Sequence, residues 1–281
     1  MPFAPTPVVL HSCYVGVPRQ TEFFVSEHVL MHILSGSFGI FAAGAEQTCR
    51  AGDTILLTRH QLLKGTKRPE PGGEYNSVSL VLDQATLREL HYLAPGPIVR
   101  PPVPVPVVAL PRQPLFGVLA QSIITYNAGR AIPLLPTLKA QEAIVLLLHV
   151  QPELRHVLFD FSEPGKLDLG RYMAQHFSFN LELKQFAYLT GRSLATFKRD
   201  FEKLFHLSPS RWLQQKRLEE AHYLLQAKQR KPSDVYLEVG FENLSHFSTA
   251  FKKQFGFSPS QAHRADTISG PGGDTKAGFF A

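Results

Sequence analysis

The sequence predicts a two-domain α+β protein: a β-rich N-terminal domain with flanking helices, then an all-α C-terminal domain made of two helix-turn-helix units. Three observations carry this. Residues 197–212, FKRDFEKLFHLSPSRW, return as FSTAFKKQFGFSPSQA at 247–262, with Phe197, Phe201, Phe205 and Ser208-Pro209-Ser210 falling on Phe247, Phe251, Phe255 and Ser258-Pro259-Ser260. Residues 25–83 break into short β-branched and aliphatic runs punctuated by Gly, Pro and Asp, the pattern of an all-β sandwich or barrel. The charge is uneven as well. Residues 167–264 hold 15 Lys and Arg against 9 Asp and Glu, a surplus of 6 equal to the net +6 of the whole chain, and the remainder balances at 14 of each.

The repeat is readable from its spacing. A phenylalanine every fourth residue lies along one helix face and calls for a core, while Lys198, Arg199, Glu202 and Lys203 occupy other faces. Ser208 is placed to cap the following helix, with Pro209 at its first position. Before each copy a shorter apolar segment ends in Gly191 or Gly240, the residue that turns positive in φ just past a helix end. Each unit is thus helix, glycine turn, helix, and the second helix of such a pair fits a DNA major groove. Two copies indicate a duplicated module rather than a solenoid. A local surplus of positive charge suits a phosphate backbone, whose condensed counterions are released on binding.

From the N-terminus, the first twenty residues show little pattern. Strands are predicted over 25–36, 37–44 and 46–53, then over 54–60 and 75–83, with KRPEPGGE at 67–74 as a polar loop. Residues 95–114 contain eight prolines, which cannot donate to a ladder, so the segment reads as an extended connector whose valines are free to pack. Helical periodicity follows over 115–129, 137–150 and 152–161. AIVLLLHV, at 143–150, is apolar around most of its circumference and must be buried on more than one side, against its own domain or against a second subunit. SEPGK (162–166) is the linker. Helices are predicted over 181–191, capped by Asn180, over 193–205, capped by Ser193, then over 208–226 and over 243–255, capped by Asn243. The Gly-rich tail, 267–281, reads as disordered.

Residues 167–266 resemble the DNA-binding domain of AraC/XylS-type transcription regulators. The resemblance is carried by VYLEVGFENLSHFSTAFKKQFGFSPSQAHR (235–264): its Gly240-Phe241 pair, Ser-His-Phe at 245–247, Phe251-Lys252-Lys253 and the Gly256-Phe257-Ser258-Pro259 ending. It implies two helix-turn-helix units held by a long linking helix, both recognition helices reaching adjacent major-groove segments. Carried over residue by residue, the base-contacting positions are Ala195, Thr196, Lys198 and Arg199 on the first recognition helix and Ser245, His246 and Thr249 on the second. Phosphate contacts fall to Arg192, Ser193, Lys203, Arg211, Asn243, Lys252 and Lys253. Arg199 stands out, because its fork can bond guanine O6 and N7 together. More weakly, residues 1–161 resemble the cupin-like barrel that precedes such domains as an effector-sensing and dimerisation domain. Leu30, His32, Phe38 and Phe41 are its candidate effector contacts, chosen by strand alternation, and helix 137–150 is its candidate dimer contact.

The resemblance implies a cytoplasmic activator that binds double-stranded promoter half-sites, contacts RNA polymerase and answers to a small-molecule effector. Control by a protein partner, or a cupin-type metal enzyme fused to a DNA-binding domain, are the alternative readings. No cofactor is expected. Cys13 and Cys49 make neither a disulfide framework nor a four-ligand zinc site. His28 and His32, four residues apart on a strand, sit roughly 13 Å apart, too far to share one ion. No nucleophile–base pattern or phosphate loop occurs, so no enzyme is expected. Nor is there a run of 18 apolar residues or a signal-peptide pattern.

Overall fold

The computed structural model describes residues 9–42, 45–100, 105–127 and 132–264, and it divides into two units at 163/164. The expected disordered tail and the Gly44 turn lie outside the described residues. In the N-terminal unit the strands are β1 (Val9–Tyr14), β2 (Arg19–Val25), β3 (His28–Ser35), β4 (Ser37–Ala42), β5 (Ala45–Arg50), β6 (Thr54–Leu57), β7 (Gln61–Arg68) and β8 (Tyr75–Leu82). Helix α1 (Gln84–Leu90) follows, then strand β9 (Val107–Ala109) and helices α2 (Pro114–Asn127), α3 (Leu135–Val150) and α4 (Arg155–Leu158). The strands form two antiparallel sheets, one in the order β1-β8-β3-β6-β9 and one in the order β2-β7-β4-β5.

Alternation along β3 sorts its side chains between two cores. Leu30 joins Leu56, Leu80 and Leu82 beneath Leu87 of α1, Phe116 and Leu119 of α2, Ile144 and Leu147 of α3, and Leu158 of α4. Met31 and Ile33 point the other way and, with Ile55, Leu57 and Tyr75, meet Phe38, Ile40, Cys49 and Leu63 of the second sheet. The first sheet is therefore covered on both faces, by helices and by the other sheet. This is why β6 is apolar at consecutive positions and buried throughout. The two sheets stand separately and face each other across a shared core, the sandwich form of the all-β pattern read from the sequence.

The proline-rich connector contributes β9, an edge strand paired to β6, and its Val107 and Val108 pack into the two cores. Strand β7 spans Gly65 because the ring of Phe38 occupies the space where a Cβ would stand.

The C-terminal unit contains α5 (Leu169–His176), α6 (Leu183–Leu189), α7 (Leu194–Phe205), α8 (Pro209–Gln226), α9 (Pro232–Glu238), α10 (Leu244–Phe255) and α11 (Pro259–Arg264). Its apolar side chains form two cores. Leu169, Met173, Phe186, Phe197, Phe201 and Leu213 make the first. Leu218, Ala221, Leu225, Val235, Phe247, Phe251 and Ala262 make the second. Helix α8 serves both, the first through Trp212 and Leu213 and the second through its C-terminal half.

Two of the expected caps form and two depart from expectation: Ser208 holds the N-cap position of α8 ahead of Pro209, but its side chain makes no cap hydrogen bond. Ser193 Oγ accepts from Thr196 N, and Asn243 accepts from Ser245 N and His246 N. Helix α6, however, is capped by Glu182 in a reciprocal box with Gln185, not by Asn180. Asn180 is drawn away because its side-chain amide donates to Glu242.

His28 lies buried on β3, its Nδ1 accepting the Arg59 N–H at 3.3 Å. Burial, then the Arg59 charge, push it from an ordinary value of 6.5 down to about 3. The same two causes push His60 down to about 4. Both are held neutral in the fold, so their contribution to stability is complete above pH 6.5 and is lost as pH falls toward those values, where the unfolded chain takes up protons that the folded chain refuses. Urea unfolding of the N-terminal unit within the full chain, followed by circular dichroism, should show a lower midpoint at about pH 5.5 than at about pH 7.5. The difference should shrink in His60→Asn, since Asn accepts the positive φ of 64° at that position.

Candidate nucleic-acid interface

Helix α7 is pinned through its phenylalanines. Phe197 and Phe201 are fully buried, and Trp212 meets Phe201 edge-on and Phe205 at a tilt, with ring centroids 5.5 and 4.7 Å away. Helix α10 repeats the arrangement: the Phe247–Phe251 and Phe251–Phe255 centroids are 5.6 and 4.6 Å apart, against 5.5 and 4.5 Å for the corresponding pairs of α7. With the aromatic ridge turned inward, the opposite face of each helix must face solvent.

On α7 that face carries Ala195, Lys198, Arg199 and Glu202, all exposed, at the i, i+3, i+4, i+7 spacing of one helix side. The Arg199 side chain is 77% exposed, and its Nε lies 3.8 Å from Asp200 Oδ1, a loose contact that leaves the fork available. Thr196 is half-buried and bound into the cap, its Oγ1 accepting from Ser193 Oγ at 3.0 Å. Glu202 completes the face and is absent from the sequence-derived contact set. A carboxylate is able to accept from cytosine N4, and the spacing of seven from Ala195 places it on this face.

On α10 the exposed face holds Ser245, His246 and Thr249, continued by Lys252 and Lys253. Thr249 Oγ1 donates back to Ser245 O at 3.0 Å. The second helix therefore offers short neutral groups at its start and positive charge at its end.

Among the phosphate candidates, Lys203, Arg211, Lys252 and Lys253 are exposed beside these faces, and Ser193 and Asn243 are engaged as caps. Arg192 is a correction. Its side chain is only 7% exposed; Nε donates to Asp200 at 3.1 Å, and Nη1 donates to Leu167 O and Thr190 O at 3.0 and 2.7 Å. It ties the turn between α6 and α7 to the start of the unit and is spent there, not held out for phosphate. A turn arginine beside an exposed helix has the same sequence signature in either role.

In the N-terminal unit the four effector candidates do not share a surface. Leu30 lies in the core beneath the helices, and His32, on the same side of β3, has its Nδ1 2.8 Å from Thr54 Oγ1. Phe38 is sealed between the sheets and Phe41 is 51% exposed. Helix α3 divides likewise: Ala140, Ala143, Ile144 and Leu147 are buried in its own unit, while Leu138 and Val145 are exposed. Among the described residues no three His, Cys, Asp or Glu side chains converge as metal ligands do.

Two like helices, each anchored by an aromatic ridge and presenting an exposed face, define a DNA-binding protein of the double helix-turn-helix class. A helix-turn-helix domain family matches residues 186–265. Over 256 residues the chain is 23% identical to the HTH-type transcriptional regulator ExsA of Pseudomonas aeruginosa, covering 90% of this chain and 92% of that one. It is 33% identical over 94 residues to the virulence regulon transcriptional activator VirF of Yersinia enterocolitica, spanning 35% of that relative's length. Crystalline apo ToxT of Vibrio cholerae aligns over 91% of this chain and 96% of its own, with 14% identity and a TM-score of 0.45. Over most of its length the chain is thus similar to a known transcription regulator, and its C-terminal unit resembles the DNA-binding domain of regulators of the AraC/XylS type.

Substituting Arg192→Ala should lower the stability of the C-terminal unit by about 2 kcal/mol, because it strips buried partners of their donor. The slope of log affinity for DNA against log salt should not change. Lys253→Ala should do the reverse, leaving the urea midpoint in place and reducing the salt slope by about 1.

Proposed function

We propose that this regulator is an activator that reads promoter half-sites chiefly through α7, with Arg199 as the main base contact and α10 as the gripping helix. The observation that carries the reading is the contrast between the two exposed faces. An available guanidinium fork, a lysine and a carboxylate stand on α7, against two hydroxyls and an imidazole at the start of α10. Bidentate arginine–guanine contact is worth about 1–3 kcal/mol of discrimination, whereas short hydroxyls discriminate less and contact bases through water. Lys203, Arg211, Lys252 and Lys253 supply phosphate contacts that position the helices without reading sequence.

The N-terminal unit is the controlling domain in this reading, answering to a small-molecule effector and pairing two chains through α3. Support for the pairing is the apolar residue left over on that helix: with Leu147 and Ile144 used internally, Leu138 and Val145 remain 56% and 49% exposed. A dimer places two C-terminal units on paired half-sites and thereby sets contact with RNA polymerase, in the cytoplasm where the DNA lies. No helix among the described residues is long and apolar enough to cross a membrane. Control by a protein partner rather than a small molecule is the second reading, and the same exposed apolar stripe of α3 favours it.

Selection of bound duplexes from a random pool by the full-length protein, with sizing of the complex, tests the proposal. Two half-sites and a two-chain complex are expected. Arg199→Ala should lose about tenfold or more in affinity for the enriched duplex and relax its preference at one guanine. Unchanged preference in that variant would overturn the assignment of the reading face.

A further inference from the structure

The two cores of the C-terminal unit share helix α8 and are otherwise distinct clusters, so apolar packing alone leaves the angle between the two helix-turn-helix modules to a single helix. A second tie between the modules is polar. Arg217, half-way along α8, donates through all three of its nitrogen positions. Nε donates to Phe177 O at 2.8 Å and Nη2 to Phe179 O at 2.8 Å, in the segment that follows α5 of the first module. Nη1 donates to Gly240 O at 2.9 Å, in the turn of the second. One planar guanidinium thus holds carbonyls from both modules, a task its fixed fork suits and a lysine's single point of charge does not.

Next to it the Asn180 amide donates to Glu242, again one residue from each module. Gly240, at a φ of 92°, makes the approach possible: a Cβ there would overlap Ser178 O and crowd the Arg217 guanidinium. The held segment leads straight into the reading helix, since Glu242 precedes Asn243, the N-cap of α10, and the Phe241 ring lies 5.8 Å from that of His246 on its first turn.

We propose that Arg217, seconded by the Asn180–Glu242 pair, is the positioning residue that fixes the phase between α7 and α10, and so the spacing along DNA at which the two modules read. The proposal rests on the DNA-binding reading above. One base pair displaces the second segment by about 3.4 Å and a tenth of a turn, so a rigid pair of readers must be strict about spacing and a loosened pair tolerant.

The test measures affinity of the full chain for the enriched duplex and for copies with one and two base pairs inserted between the two contacted segments. A single insertion leaves phosphates within reach of α10 but puts the bases beneath Ser245, His246 and Thr249 out of register, so the wild type should lose about tenfold. Arg217→Met keeps the length and apolar stem of the side chain and removes all three donors. It should bind the native duplex less tightly yet lose less than about threefold on insertion, because free modules adjust and affinity then falls to that of linked, independent readers. Glu242→Ala, which removes an exposed group, should give an intermediate penalty, and Arg217→Lys should fall between wild type and Arg217→Met. Should Arg217→Met fail to fold by circular dichroism, Glu242→Ala and Arg217→Lys decide. An insertion penalty equal to that of the wild type in the folded variants, whatever their affinity, overturns the proposal. A wild-type protein that enriches no duplex overturns the DNA-binding reading beneath it.

Discussion

The contact on which the C-terminal unit depends is the row of phenylalanines packed at a tilt beneath each second helix. Three rings at four-residue spacing cannot be left in water, and the helix that carries them can sit in the module in one rotation only. Everything on the opposite face, Arg199 included, is aimed outward by that requirement and not by any contact of its own. The near-identity of ring separations in α7 and α10 indicates that the duplicated segment duplicates a packing solution, with the outward face left open to diverge. Divergence is what the two faces show: charged and forked on α7, short and neutral over the first half of α10.

Much of this unit was legible in the sequence because the signals are local and strong. Ser193, Pro209, Asn243 and the turn glycines mark helix ends by backbone chemistry that acts within four residues, and the observed ends fall within two residues of the expected ones. The failures at Asn180 and Arg192 have one cause. Each side chain has a local reading, as a cap or as a phosphate donor, that loses to a partner distant in sequence or supplied by the fold: Glu242 for Asn180, and the Leu167 and Thr190 carbonyls with Asp200 for Arg192. Glu202 shows its place only in the structure, exposed on the same side of α7 as Ala195, Lys198 and Arg199.

The N-terminal unit was less legible because its strands answer to two cores at once. Strand β1 is an edge with polar residues on both faces, and β7 carries Gly65 and three lysines or arginines, so neither shows the alternation that marks β3 and β8. The effector guess failed on the same point. Alternation on β3 and β4 is real, but it leads Leu30 and Phe38 into separate cores, one beneath helices and one between sheets. Helix α3 was read as needing cover on more than one side, and it divides between a buried row and an exposed one.

Two small cores strung on one helix also set how the C-terminal unit comes apart. Each core is a separate apolar cluster, so protection of backbone amides should differ from module to module and be greatest along the stretch of α8 where Arg217 ties the two together.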